Sequence, residues 1–246
     1  MKRRDMLFIV LGAFFLTNAI VAELIGGKLI YVLQLTPDQH WGPFGPDFAM
    51  SVGILPWPVV FLTTDIINEF YGRKGVRRLT YLTIGMILYA FFVLWLTMQI
   101  PAAGFSPVDD ESYRRVYGQS MWIIAGSITA FALGQLIDVT IFHLLRKKTG
   151  KAQIWIRATG STLVSQLIDT VVVLYIGLYL GSQFNEDPAK RWTLQTYANT
   201  ALPNYAVKVA IAFLATPLIY AGHWAVERFL GHEEAESMAE TAAQGL

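Results

Sequence analysis

The chain of 246 residues predicts an all-α integral membrane protein, a bundle of six transmembrane helices. Three observations carry that reading. The composition is 54% hydrophobic with only 15% charged residues, where soluble domains hold roughly 25%, and the mean hydropathy is +0.44. Apolar runs near the roughly 20 residues needed to cross a bilayer recur six times. The basic residues also gather in alternate loops. There is no cysteine, which removes disulfides, thiolate metal sites and thiol nucleophiles.

The helices are expected at 6–33, 48–71, 79–100, 119–145, 158–181 and 200–229. The first follows Met1-Lys-Arg-Arg4. It is too long for a signal-peptide core and lacks a small-residue cleavage site, so it reads as a retained span. The second carries Leu55-Pro-Trp-Pro58. Prolines inside a span free carbonyls that neighbours, water or a ligand must satisfy; a site-lining discontinuity and a plain packing kink both remain open. The second and third helices are separated by Arg73, Lys74, Arg77 and Arg78. Arg146, Lys147, Lys148, Lys151 and Arg157 fill the loop between the fourth and fifth, and Arg228 ends the sixth. The remaining loops mix Arg114, Arg115, Lys190 and Arg191 with Asp109, Asp110, Glu111, Glu186 and Asp187. By the positive-inside rule both termini are cytoplasmic, in a multi-pass protein of the inner (plasma) membrane.

Residues 1–230 form one transmembrane domain. Residues 231–246, with Glu233, Glu234, Glu236 and Glu240, are expected to be a poorly ordered acidic tail on the cytoplasmic side. No phosphate-binding loop is present.

Seven charges fall within or near the hydrocarbon: Glu23, Lys28, Asp65, Glu69, Asp138, Asp169 and Lys208. Each costs roughly 2.5–3.5 kcal/mol at the bilayer centre, so each is a functional candidate. Asp138 and Asp169 end identical tetrapeptides, Gln135-Leu-Ile-Asp138 and Gln166-Leu-Ile-Asp169. Residues three apart share a helix face, so each helix presents a carboxylate acceptor beside an amide that both donates and accepts. The repeat carries no argument for duplication, because the two helices run antiparallel and Leu-Ile is common here. At 1.5 Å per residue, Asp138 lies about 12 Å from the nearest basic loop residue, Asp169 about 18 Å and Asp65 about 12 Å. Lys208 lies four residues after Asn204, on the same face, and either counters one of the aspartates or points into a water-filled cavity. Lys28, after Gly26-Gly27, reads as a snorkelling residue at the outer surface. Glu69 lies nearer the basic boundary, and interfacial and buried placements stand equal.

Three ligands suit this set: a metal cation on Asp65, Asp138 and Asp169, a proton relay, or a planar donor-rich solute held by carboxylates and amides with an aromatic face such as Trp57. The amide beside each aspartate favours the last. An enzyme is not expected. The aspartates lack the Gly-x-Gly-Asp context of intramembrane proteases, and Ser165 and Thr170 have no base nearby in sequence. His143 and His223 sit towards helix ends.

Three segments then carry a likeness: Thr63-Thr-Asp-Ile-Ile-Asn-Glu-Phe-Tyr-Gly72, Gly134-Gln-Leu-Ile-Asp138 and Ser161-Thr-Leu-Val-Ser-Gln-Leu-Ile-Asp-Thr170. They resemble the queuosine precursor transporter family, also called the vitamin uptake transporter family, from Asn18 to Asn204-Tyr-Ala-Val-Lys208. The resemblance implies a six-helix fold similar to the substrate-binding subunits of energy-coupling-factor transporters. It implies an inner-membrane importer of 7-deazaguanine queuosine precursors (7-cyano- or 7-aminomethyl-7-deazaguanine) that works without cofactor, metal or direct nucleic-acid contact. Homo-oligomerisation is left open. The alternatives are a substrate-capture subunit needing a separate energising partner, or a proton- or cation-conducting protein. Family positions carry over onto Asn18, Asp65, Gln135, Asp138, Asp169 and Lys208, with Gln166 standing where the family also uses Asn. Glu23 and Glu69 belong to one branch, and Asn204 joins the candidates through its place beside Lys208. Asp169 or Asp138 is expected to take the guanidine-like edge, with the glutamines orienting the ring and Asp65 or Glu23 meeting an aminomethyl cation.

Overall fold

The computed structural model describes residues 2–31, 49–118, 120–149 and 153–244. Five helical elements are long and apolar enough to cross a membrane. That count is of the described residues, and the longest of the five, Val52–Thr97, bends at Gly72. Helix α1 covers Arg3–Ile25 and stops eight residues short of the expected end, at a turn through Gly26 and Gly27. A short strand, β1 (Leu29–Tyr31), pairs antiparallel with β2 (Ala49–Ser51); residues 32–48, expected as a helix end and loop, lie outside the described residues. A 3-10 turn, Val52–Ile54, follows. It packs so close to α1 that a Cβ on Gly53 would meet the Ala22 carbonyl at 2.6 Å. Helix α2 then runs Trp57–Thr97, with Pro56 as its N-cap and Pro58 in its first turn. The paired prolines therefore start a helix and do not kink one. A helix start is where a missing N–H costs nothing.

Helix α2 changes direction at Gly72, whose φ of +66° and ψ of −168° only glycine adopts readily. The basic residues Arg73 to Arg78, expected in a loop, begin its second half. A short surface helix, α3 (Asp110–Tyr117), is capped by the Asp109 carboxylate, which accepts from the Ser112 amide at 2.7 Å. Helix α4 (Met121–Thr149) ends in Arg146, Lys147 and Lys148, cations that suit a helix C-terminus. Helix α5 (Ile154–Val173) starts four residues before its expected position and runs on through a π-helical stretch, Leu174–Leu180, and a last turn, α6 (Gly181–Gln183). Helix α7 (Leu194–Leu230) contains Pro203 and Pro217. The most extensive packing joins α4 to α5, where a Cβ on Gly126 would lie 2.8 Å from the Gly177 nitrogen. Small residues allow this backbone approach between membrane helices.

The bundle buries an extended polar set between apolar clusters and is apolar outside. Thr63, Thr64, Asp65, Asn68, Glu69, Gln135, Asp138, Ser161, Ser165 and Gln166 are buried, while Phe14, Leu88, Phe92, Leu214 and Trp224 face outward. Such a surface suits hydrocarbon, where burial of apolar groups yields no gain and every polar group needs an internal partner. The basic clusters meet at one end. There the Tyr71 hydroxyl donates to the Arg4 carbonyl at 2.6 Å and Arg3 reaches the Phe229 carbonyl.

The segment after Gly231 departs from the expected disordered tail. Residues His232–Ala243 form helix α8, docked across this basic end. Ala235, Met238, Ala239 and Ala242 repeat at helical spacing; the first three pack on Ile66, Phe70, Val226 and Leu230, and Ala242 is seated on Gly72. The four glutamates on its other faces hide this stripe from a reading by composition.

Candidate functional site

Three helices build one cleft, and each contributes side chains at helical spacing. From α2 come Trp57, Phe61 and Thr64; from α4, Phe131, Gly134, Gln135 and Asp138; from α5, Thr162, Ser165, Gln166 and Asp169. Positions i, i+4 and i+7 stack on one face, so the cleft is a direct product of sequence spacing. Its volume is about 10 Å³, room for one water. A flat bicyclic solute therefore enters only when the walls separate.

One wall is aromatic. Trp57 stacks on Phe61 with centroids 5.5 Å apart and meets Phe131 at 6.0 Å. The cleft also carries the two Gln–Asp pairs, so the two helix faces set by the repeated spacing line one site. The two aspartates differ in partner. Asp169 is held by Lys208, whose ammonium donates at 2.5 Å. Asp138 instead accepts from neutral groups, Ser165 Oγ at 3.3 Å and Asn68 Nδ2 at 3.4 Å. The Oε1 atom of Gln135 is buried without a hydrogen-bond partner. The cleft therefore holds an uncountered carboxylate and an unmet carbonyl acceptor beside aromatic faces.

The other candidates lie elsewhere. Asn18 and Asn204 donate within their own helices, to the carbonyls of Phe14 and Thr200 at 2.8 and 2.9 Å. Glu23 is buried between α1 and α4, taking the Ser127 hydroxyl at 2.6 and 2.7 Å. Asp65 follows Thr64 by one residue and so points about 100° away from the cleft. It lines a second cavity with Glu69, Phe142 and His223. Lys28 is exposed beyond the end of α1.

Two residues read as peripheral are central. Arg157, expected in a basic loop, is 1% exposed because α5 begins before it. It grips Glu69 through Nη2–Oε1 at 2.8 Å and Nε–Oε2 at 3.1 Å. Arg146 adds a contact to the same carboxylate at 3.2 Å and donates to the backbone carbonyls of Glu69 and Ala239 at 3.0 and 2.7 Å. Glu69 is thus buried, and it ties α2, α4, α5 and α8 at the basic end. Phe61 and Phe131 were also passed over. A signal for Phe131 was available, since it lies four residues before Gln135.

The comparisons agree with this architecture. A family profile described as "Putative vitamin uptake transporter" matches residues 51–222. A "Probable queuosine precursor transporter" of Bacillus subtilis (strain 168) is 28% identical over 175 residues, 70% of each chain. The "Queuosine precursor transporter" of Escherichia coli (strain K12) is 26% identical over 168 residues, 68% of this chain and 69% of its own. No solved structure matches. The matched segment spans the cleft-lining parts of α2, α4 and α5, and the relatives are named as transporters. A multi-pass bundle with a buried polar set and a small central cleft suits that role, and the chain belongs to the vitamin uptake transporter family.

Proposed function

We propose that this protein imports 7-deazaguanine queuosine precursors across the inner membrane, with its basic end in the cytoplasm. The names of the relatives suggest the solute, and the chemistry of the cleft supports it. The observation that carries the reading is the pairing of a carboxylate without a countercharge, Asp138, and an unmet acceptor, Gln135 Oε1, with an aromatic wall. A 7-deazaguanine offers a ring N–H and a 2-amino group on one edge and a carbonyl on another. Asp138 takes the donor edge, because no cation competes for it. The Gln135 and Gln166 amides orient the ring, and Trp57 and Phe61 cover its face. Asp169 is neutralised by Lys208, so this pair meets the carbonyl side, where the ammonium can donate.

Proteoliposomes containing this chain alone should take up labelled 7-cyano-7-deazaguanine and release it in exchange for unlabelled base. Uptake that requires added subunits would instead assign the chain to substrate capture.

A further inference from the structure

We propose that Asp65, acting with Asp138 beside it, is a proton-binding site that couples substrate movement to a proton gradient. Three carboxylates, Asp65, Glu69 and Asp138, are buried in the inner part of the bundle, against two guanidiniums, Arg146 and Arg157. Both guanidiniums bond Glu69. The cluster thus carries one negative charge too many for a low-dielectric site. One proton on the Asp65–Asp138 pair restores neutrality.

Geometry points to Asp65 as the carrier. Its side chain is 4% exposed and its Oδ1 is buried with no hydrogen-bond partner. It lines a cavity of about 10 Å³, large enough for the one water that a proton exchange path needs. The charges facing it are Glu69 one turn along α2, Asp138 on α4 and Arg157 on α5, with His223 on α7 in the same cavity and 3.5 Å from Glu227. A metal cation is a poorer occupant: among the described residues no three His, Asp or Glu side chains converge as ligands.

The coupling route is short. Asp138 lines the substrate cleft, and Asn68, three residues after Asp65 on the same face of α2, donates to it at 3.4 Å. A base that donates N–H groups to Asp138 keeps that carboxylate ionised, and the shared proton then stays on Asp65. Base and proton each favour the other's binding, as reciprocal linkage requires, and the result is symport. This rests on the proposed substrate for what is moved, while the charge count stands without it.

The test uses the full chain in proteoliposomes with 7-cyano-7-deazaguanine. One pH unit is about 1.4 kcal/mol, so a single coupled proton sustains about tenfold accumulation. Wild type should reach that ratio when the entry side is acidic. Asp65→Asn should exchange base at the wild-type rate without a gradient and accumulate none with one, and Asp65→Glu should restore accumulation. Wild-type accumulation by D65N, or a wild type that exchanges base but ignores the pH gradient, would overturn the proposal. Infrared spectroscopy reads the proton without any substrate. A carboxylic-acid carbonyl band should be present at neutral pH and absent in D65N, and a band unchanged in D65N overturns the site even if the solute proves to be another.

Discussion

The bundle buries two sets of charges that are balanced in opposite ways. At the basic end, Glu69 is gripped by two arginines, one of them with two parallel bonds, and α8 closes over the arrangement. In the cleft, Lys208 covers one aspartate while Asp138 rests on neutral donors. Breaking a buried ion pair leaves an uncompensated charge that destabilises the fold, so the first set is committed to holding helices together. The second keeps an acceptor in reserve. Burial of a charge therefore does not identify a binding residue; the absence of a countercharge does.

The sharpest way to break this comparison is at Glu69. Glu69→Ala strands two buried guanidiniums and should lower stability by about 3–5 kcal/mol, seen as a lower unfolding midpoint in detergent. A variant of unchanged stability would place Glu69 outside the structural set. Asp138→Asn should do the reverse. Its fold is kept, while loss of a charge-assisted hydrogen bond, worth about 1.5–3 kcal/mol, weakens base binding roughly ten- to 150-fold. Lys208 and Asp169 are each 14% exposed, so their pair falls between these cases. A double-mutant cycle of Lys208→Met with Asp169→Asn should give a coupling of about 1–2 kcal/mol in stability, between exposed and buried pairs. Zero coupling would mean the two do not support one another.

The smallest effect lies outside the bundle, at Asp109. The Ser112 amide holds this carboxylate below its ordinary range. A group whose folded pKa is depressed contributes stability above its unfolded pKa and loses it as pH falls. Protection factors of the α3 amides, corrected for intrinsic exchange, should therefore fall as pH drops through the acidic carboxylate range, and Asp109→Ala should abolish that dependence.

Much of this organisation was legible in the residues. The spans follow from apolar length, and the Gln–Asp faces of α4 and α5 follow from spacing alone. Three features were not. Arg157 read as a loop charge because hydropathy cannot distinguish a helix that starts late from one whose first turn buries a paired arginine. Pro56 and Pro58 read as a break inside a span, a site-lining discontinuity or a packing kink, because an apolar run continues on both sides of them, yet the chain leaves β2 only at Ser51 and the prolines begin the helix. The tail read as solvated because its glutamates dominate the composition, while its docking stripe is alanine, whose small side chain suits close approach to Gly72. Asp65 was grouped with the cleft through depth, and a rotation of one residue moved it to a second cavity.

The most direct test of the account is calorimetric titration of the purified chain with 7-cyano-7-deazaguanine, comparing wild type with Asp138→Asn and Asp65→Asn. The account predicts one site in wild type, affinity lowered at least about tenfold in D138N, and affinity close to wild type in D65N. Equal binding by wild type and D138N would contradict it, because the uncountered carboxylate would then not be the group that holds the base.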